Sequence, residues 1–198
     1  MVLDRPPAGT FGRVLDPDSR PSLHVTPLLR LLHERGVDWV LSGSAVLTLY
    51  GADLRPNDLD VVPSLDPANL RRIAGLLVEL DAVPAREPSW HKALTRRECL
   101  DWRPDPPTAE QLDHLFVTRL GMVDVTPKLT GSYAELRPGA TSVELAGVPV
   151  WVCSPDEVLG RLPAKPRPKD VERAAQYAIV REAVRRGEQP RGARWLDS

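Results

Sequence analysis

The feature that most constrains the fold is a strand, a glycine turn, a helix and a second strand in immediate succession. The apolar run Val37–Leu41 stops at Ser42-Gly43-Ser44. A short helical stretch, Ala45–Tyr50, follows and is closed by Gly51. After the polar loop Asp53–Asn57 comes Asp58-Leu59-Asp60-Val61-Val62, a strand by its β-branched residues and alternation. Such a unit can bury its apolar residues only by packing helices on a sheet. The chain is therefore expected to be α+β, with a mixed β-sheet flanked by helices.

The rest of the chain supplies the missing parts. Thr26 and Pro27 suit the start of a helix and Gly36 its end, with Leu28, Leu31 and Leu32 on one face. Asp66 and Pro67 open another, with Leu70, Ile73, Leu76, Leu77 and Leu80 at helical spacing. Residues 84–110 are proline-rich and irregular, a long loop or inserted flap with at most a short strand or helix. Leu115–Arg119 and Met122–Val125 around Gly121 read as a hairpin, as do Val143–Leu145 and Val148–Val152 around Ala146-Gly147. Ser154-Pro155-Asp156-Glu157 carries the capping-box pattern. Pro168 and Asp170 open a last helix, whose apolar side is expected at Val171, Ala174, Ala175, Ala178 and Ile179.

A chain of 198 residues fits one domain. It divides into an irregular arm over 1–20, a core over 21–153 and a C-terminal helical region over 154–198. No apolar run is long enough to span a bilayer and no secretory signal opens the chain, so a cytoplasmic protein is expected. Cys99 and Cys153, without a metal-ligand pattern, read as free buried thiols. The net charge of -1 hides an asymmetry. Residues 161–198 hold 10 Lys or Arg against 5 Asp or Glu, and residues 1–160 hold 16 against 22. The basic part is either a patch for an anionic partner or a solvated helix face.

Three elements point to chemistry. Gly43-Ser44 stands where a strand meets a helix, which makes either an ordinary turn or a backbone cradle for phosphate. Asp58 and Asp60, two apart on a strand, share one face, so they either sit exposed or bind a hard cation such as Mg²⁺. Asp124 lies in the apolar strand Met122-Val123-Asp124-Val125 and needs a partner or a metal. Three carboxylates on neighbouring strands beside a phosphate cradle would make a two-metal phosphoryl-transfer site. Lys165, Arg167 and Lys169 fit either a solvated helix entry or an anion site, and Asp170 a helix N-terminal acid. Trp90-His91-Lys92 suits either nucleotide contact or loop packing. His24, His33 and His114 read as structural or surface residues.

Together these residues carry a resemblance. Gly43-Ser44, a spacer with Arg55-Pro56, and Asp58-x-Asp60 look like the first motif of the DNA polymerase β-type nucleotidyltransferases. Gly121–Gly131, Tyr133–Leu136, Val148–Glu157 and Arg167-Pro168-Lys169-Asp170 resemble the AbiEii / MenT group of nucleotidyltransferase toxins. The resemblance covers roughly residues 28–185. It implies a nucleotidyltransferase fold that moves an NMP from an NTP to an acceptor hydroxyl, with the tRNA 3′ end as acceptor, translation blocked, and a cognate antitoxin as partner. Asp58, Asp60 and Asp124 would hold Mg²⁺, with Asp170 a fourth functional carboxylate. Gly43, Ser44, Arg55, Lys165, Arg167 and Lys169 would contact the nucleotide. The group's usual lysine eight residues before the final aspartate is replaced by Leu162. Two other readings remain: a nucleotidyltransferase acting on an antibiotic or other small molecule, and a non-catalytic nucleotide-binding or antitoxin-binding module.

Overall fold

The structure, a computed structural model, describes residues 15–88, 93–127 and 131–191. The Trp90-His91-Lys92 segment lies outside the described residues. So do the start of the arm and residues 192–198.

Seven strands form one mixed sheet: β1 (Trp39–Leu41), β2 (Asp58–Pro63), β3 (Val83–Pro84), β4 (His114–Thr118), β5 (Gly121–Val125), β6 (Thr141–Leu145) and β7 (Val148–Val152). Their order across the sheet is β3-β4-β5-β2-β1-β7-β6. β2 runs parallel to β5 and β1 parallel to β7, and the other neighbours are antiparallel. Nine helices accompany the sheet among the described residues: α1 (Val25–Glu34), α2 (Gly43–Leu49), α3 (Pro67–Glu79), α4 (Arg96–Asp101), α5 (Ala109–Leu112), α6 (Tyr133–Leu136), α7 (Pro155–Gly160), α8 (Pro168–Glu172) and α9 (Ala174–Arg185). The protein is α+β. Among the described residues no helix is long and apolar enough to cross a membrane.

Local chemistry accounts for most boundaries. The Asp66 carboxylate accepts hydrogen bonds from the Ala68 and Asn69 amides, and Pro67 fills the first helical position of α3. The helix then buries Leu70, Ile73, Leu76 and Leu77. α1 begins one residue earlier than the Thr26 signal, with His24 before its first turn. The β6–β7 turn has Ala146 and Gly147 both at positive φ, the hand that matches a twisted hairpin. Ser154 caps α7 by accepting from Asp156 N–H rather than through a capping box with Glu157.

The irregular 84–110 stretch contains more order than its composition announced. Thr95 and Glu98 form a capping box that opens α4, and Thr108 caps α5. Trp102 stacks 4.9 Å from Phe116 and donates its indole N–H to the Gln111 carbonyl at 3.2 Å, which pins this segment to β4. The end of the arm is fastened here too. Arg96 reaches Asp16 at 2.6 Å and Asp18 at 2.7 Å, and Arg86 reaches Asp18 at 2.6 Å.

The main core joins α1, α3 and the central strands, with Leu28, Leu41, Leu59, Ile73 and Phe116 buried. Two smaller clusters flank it. One holds Val83, Ala85, Val117 and Met122, and the other Leu47, Ala52, Leu159, Tyr177 and Val180. Cys99 and Cys153 are buried and unbonded to one another.

The last helix corrects the sequence reading. It breaks at Arg173 into α8 and α9. Tyr177, Val180 and Ala183 face inward, while Val171 and Ile179 are 65% and 46% exposed and Ala174, Ala175 and Ala178 face solvent. The expected apolar side is the outer side.

Candidate active site

The carboxylates are positioned by strand register. Asp60 on β2 pairs directly with Asp124 on β5, and Asp58 pairs with Met122. Residues opposite one another share a face, so Asp58, Asp60 and Asp124 all project from the same side of the sheet. Leu59 and Val61 turn the other way, into the main core. On the carboxylate side, Met122 and its β4 partner Val117 belong to one flanking cluster. Across from them stands the cluster of α2, α7 and α9. The acids therefore lie at the floor between two small cores.

The start of α2 closes over them. Ser42 N–H donates to the Asp60 carbonyl at 3.2 Å and continues the β1–β2 ladder into the turn. Gly43 follows at φ +67°, and a Cβ there would stand 1.8 Å from Asp60 Oδ2. The Gly43 backbone is thus in direct contact with the Asp60 carboxylate, and only glycine permits it. Ser42 is buried, with Cys153 Sγ 3.7 Å from its hydroxyl, and gives the helix no side-chain cap. Ser44, in the first turn, remains partly exposed. Burial pushes the Cys153 thiol up to about 11, so it is an inert packing group.

Electrostatics make the three acids one system. Burial and then the charges of Asp58 and Asp124 hold the Asp60 carboxyl well above the usual range. Burial, then Asp58 and Asp113, push Asp124 up to about 7. Burial raises Asp58 as well. Lys169 opposes the rise at all three, and Arg173 opposes it at Asp58. Sheet register and the α8–α9 corner thus set three mutually repelling carboxylates against two cations.

Among the described residues no three His, Cys, Asp or Glu side chains already converge as a closed metal cage. A hard cation does not need one. Mg²⁺ typically takes one or two carboxylates and fills its remaining positions with phosphate oxygens and water. Asp58 and Asp60 are oxygen donors of that kind, held together at a cost that a divalent cation would relieve.

The final motif separates into two roles. Lys169 faces the carboxylates, but Asp170 does not join them. Its carboxylate is 6% exposed and accepts from Arg167 Nε at 2.7 Å, the second guanidinium nitrogen at 3.0 Å, Arg167 N–H at 3.1 Å and the Tyr177 hydroxyl at 3.1 Å. The Arg167 guanidinium holds Asp170 down to about 2. Asp170 positions the α8–α9 corner that presents Lys169 and Arg173. Asp170→Ala is expected to cost about 1.5–3 kcal/mol, the range for hydrogen bonds to a charged group, measured by urea unfolding at pH 7. In wild type this contribution is present above the unfolded-state value near 3.8 and fades as pH falls toward 2.

Leu162, at the position of the expected lysine, packs beside Leu159 and Tyr177. Lys165 is exposed on the link before α8. Arg55 is exposed on the opposite flank, just before β2. Arg173 was not singled out by sequence, because only the helix break turns it toward Asp58.

Five C-terminal arginines are paired locally among the described residues. Arg161 pairs with Glu157, Arg167 with Asp170, Arg185 and Arg186 with Glu182, and Arg191 with Glu188. These pairs join residues three or four apart and, apart from Glu157, use acids of the same region, so the net basic excess remains. No protein-family model matches the chain, and no curated protein and no solved structure matches it.

Proposed function

We propose that the protein is a Mg²⁺-dependent nucleotidyltransferase that moves an NMP from an NTP to an acceptor hydroxyl and releases pyrophosphate. The observation that carries this reading is the trio Asp58, Asp60 and Asp124 on one sheet face, with the Gly43 backbone against Asp60 and Lys169 opposite. The reading includes the nucleotidyltransferase fold and, by resemblance to the AbiEii / MenT group, the tRNA 3′ end as acceptor, a translation-blocking toxin and an antitoxin partner.

Asp58 and Asp60 would hold Mg²⁺, with Asp124 completing a second position. When bound, the ion neutralises charge on the transferring phosphoryl group. Gly43 and Ser44 hold the triphosphate from the helix side, and Lys169 and Arg173 balance its charge from the corner. Asp124, paired with Asp60 across the sheet, is placed to accept the acceptor hydroxyl's proton. Arg167 and Asp170 keep that corner in place.

A small-molecule acceptor of the aminoglycoside type is polycationic and would call for an acidic pocket. A cavity beside the start of β2 is lined by Arg20 and Arg55 and, among the described residues, by no carboxylate, which favours an anionic acceptor.

The test is incubation with each labelled NTP, Mg²⁺ and bulk tRNA. Label on tRNA is the expected result. Label confined to small hydroxylated acceptors would replace the tRNA reading, and no transfer by folded protein would leave a binding module. In the same assay Lys169→Ala is expected to slow transfer by roughly 10²-fold, as loss of one fixed charge at a phosphoryl site does.

A further inference from the structure

At the end of the β2–β5 pair where β2 begins lies a cavity of about 640 Å³. That volume is within the roughly 300–1,000 Å³ typical of small-molecule sites. Asn57 and Met122 line it, and these are the chain neighbour of Asp58 and its partner across the sheet. The opening is therefore one residue from the proposed metal ligands. It is on the β5 side of β2, whereas Gly43 approaches from the β1 side.

The walls differ in freedom. Arg20 is held by the Pro17, Ser19 and Arg86 carbonyls and by the Glu87 carboxylate. Arg55 is exposed and makes no hydrogen bond or ion pair among the described residues. Ser22 adds a hydroxyl, while Val25 and Met122 are buried apolar groups. A free guanidinium at the rim of a partly apolar hollow suits a phosphate joined to a flat or sugar-like group.

We infer that this cavity is the acceptor pocket, and that it takes the terminal nucleotide of a single-stranded nucleic-acid end, with its phosphate on Arg55 and its sugar and base in the hollow beside Ser22 and Asn57. The inference rests on the nucleotidyltransferase reading and adds to it a location and a selecting residue. Nucleotide and acceptor then enter from opposite sides of β2 and meet over the carboxylates. The acceptor is selected for negative charge before any chemistry.

The test separates binding from transfer. A fluorescein-labelled single-stranded RNA dodecamer is titrated by anisotropy at several salt concentrations, and Mg²⁺–ATP and Mg²⁺–CTP binding are measured by calorimetry on the same proteins. The pocket assigns Arg55 to the acceptor's phosphate instead of to the nucleotide that the resemblance implied, so Arg55→Glu is expected to weaken RNA binding at least tenfold while Mg²⁺–ATP and Mg²⁺–CTP still bind. Arg55→Ala should flatten the logarithmic salt dependence by about 0.7, the value for one phosphate contact on a single strand. Asn57→Trp fills the cavity from an exposed position without altering charge and should weaken RNA binding as well. Arg97→Glu, at a side chain 91% exposed on α4, is the control for net charge. The pocket is overturned if the dodecamer does not bind, if Arg55→Glu and Arg97→Glu weaken it equally, or if Asn57→Trp has no effect. NTP binding without RNA binding refutes the pocket alone. RNA binding lost with Arg55→Glu, but with no NTP bound by wild type, supports the pocket and refutes the transferase reading.

Discussion

Asp60→Asn is expected to abolish nucleotidyl transfer and, in Mg²⁺-free buffer at pH 8, to make the protein more stable. The two effects have one origin. Asp60 is held above the ordinary carboxylate range by burial and by the charges of Asp58 and Asp124. In the folded protein, burial and the neighbouring carboxylates oppose the ionisation of Asp60, whereas the unfolded chain separates and hydrates these acids. A neutral amide at this position removes the cost of ionising there and leaves the shape almost unchanged. Transfer should fall by roughly 10²–10³-fold or more, the size of effect seen when one fixed electrostatic group is removed from such a site.

The pH dependence follows with a definite sign. A carboxyl whose folded value lies above its unfolded value binds more protons folded than unfolded between the two, so stability falls as pH rises through that window. For Asp124 the window runs from 3.8 to about 7. At 1.36 kcal/mol per unit the upper bound is about 4 kcal/mol, reduced by water at a partly exposed site. Urea unfolding without Mg²⁺ should give greater stability at pH 5 than at pH 8, and Asp124→Asn should flatten that difference. Millimolar Mg²⁺ should restore stability at pH 8, because a ligand that binds only the folded state stabilises it. Equal stability of wild type at pH 5 and pH 8 would show that the acids do not repel one another as the geometry requires.

What the sequence made legible is what short-range rules control. Period-two alternation was enough to put Asp58 and Asp60 on one face, and the apolar company of Asp124 marked it as needing a partner. The Asp66 cap and the leucine stripe of α3 were equally plain. Long-range placement was not. Val171, Ala175 and Ala178 match helical spacing as well as Tyr177, Val180 and Ala183 do, and an alanine-rich helix offers two plausible sides. The break at Arg173 decides between them by turning Tyr177 inward to Asp170 and Arg173 toward Asp58. The functional role of Asp170 came from the resemblance alone; its oxygens are engaged by Arg167 and by Tyr177 on the next helix, a placement that depends on the same break.

Gly43→Ala should damage both the stability and the activity of the protein. Gly36, Gly75 and Gly139 have open space where a Cβ would go, but at Gly43 the added carbon would stand 1.8 Å from Asp60 Oδ2 and 2.3 Å from its Cγ. The backbone is also at φ +67°, where an L side chain costs about 1–2 kcal/mol. Overpacking adds about 1–3 kcal/mol, so a total near 2–5 kcal/mol is expected by urea unfolding. The carboxylate must move by more than an ångström, a displacement that costs roughly 10²-fold in rate at a site built on positioning. A double variant separates the two contributions. Gly43→Ala combined with Asp60→Ala has no carboxylate to collide with, so the overpacking part should vanish and the φ strain should remain. The combined loss of stability should therefore be clearly smaller than the sum of the single losses, as expected for groups in contact. Strict additivity would mean that Gly43 and Asp60 do not touch, and the close approach of the α2 turn to the carboxylates would have to be abandoned.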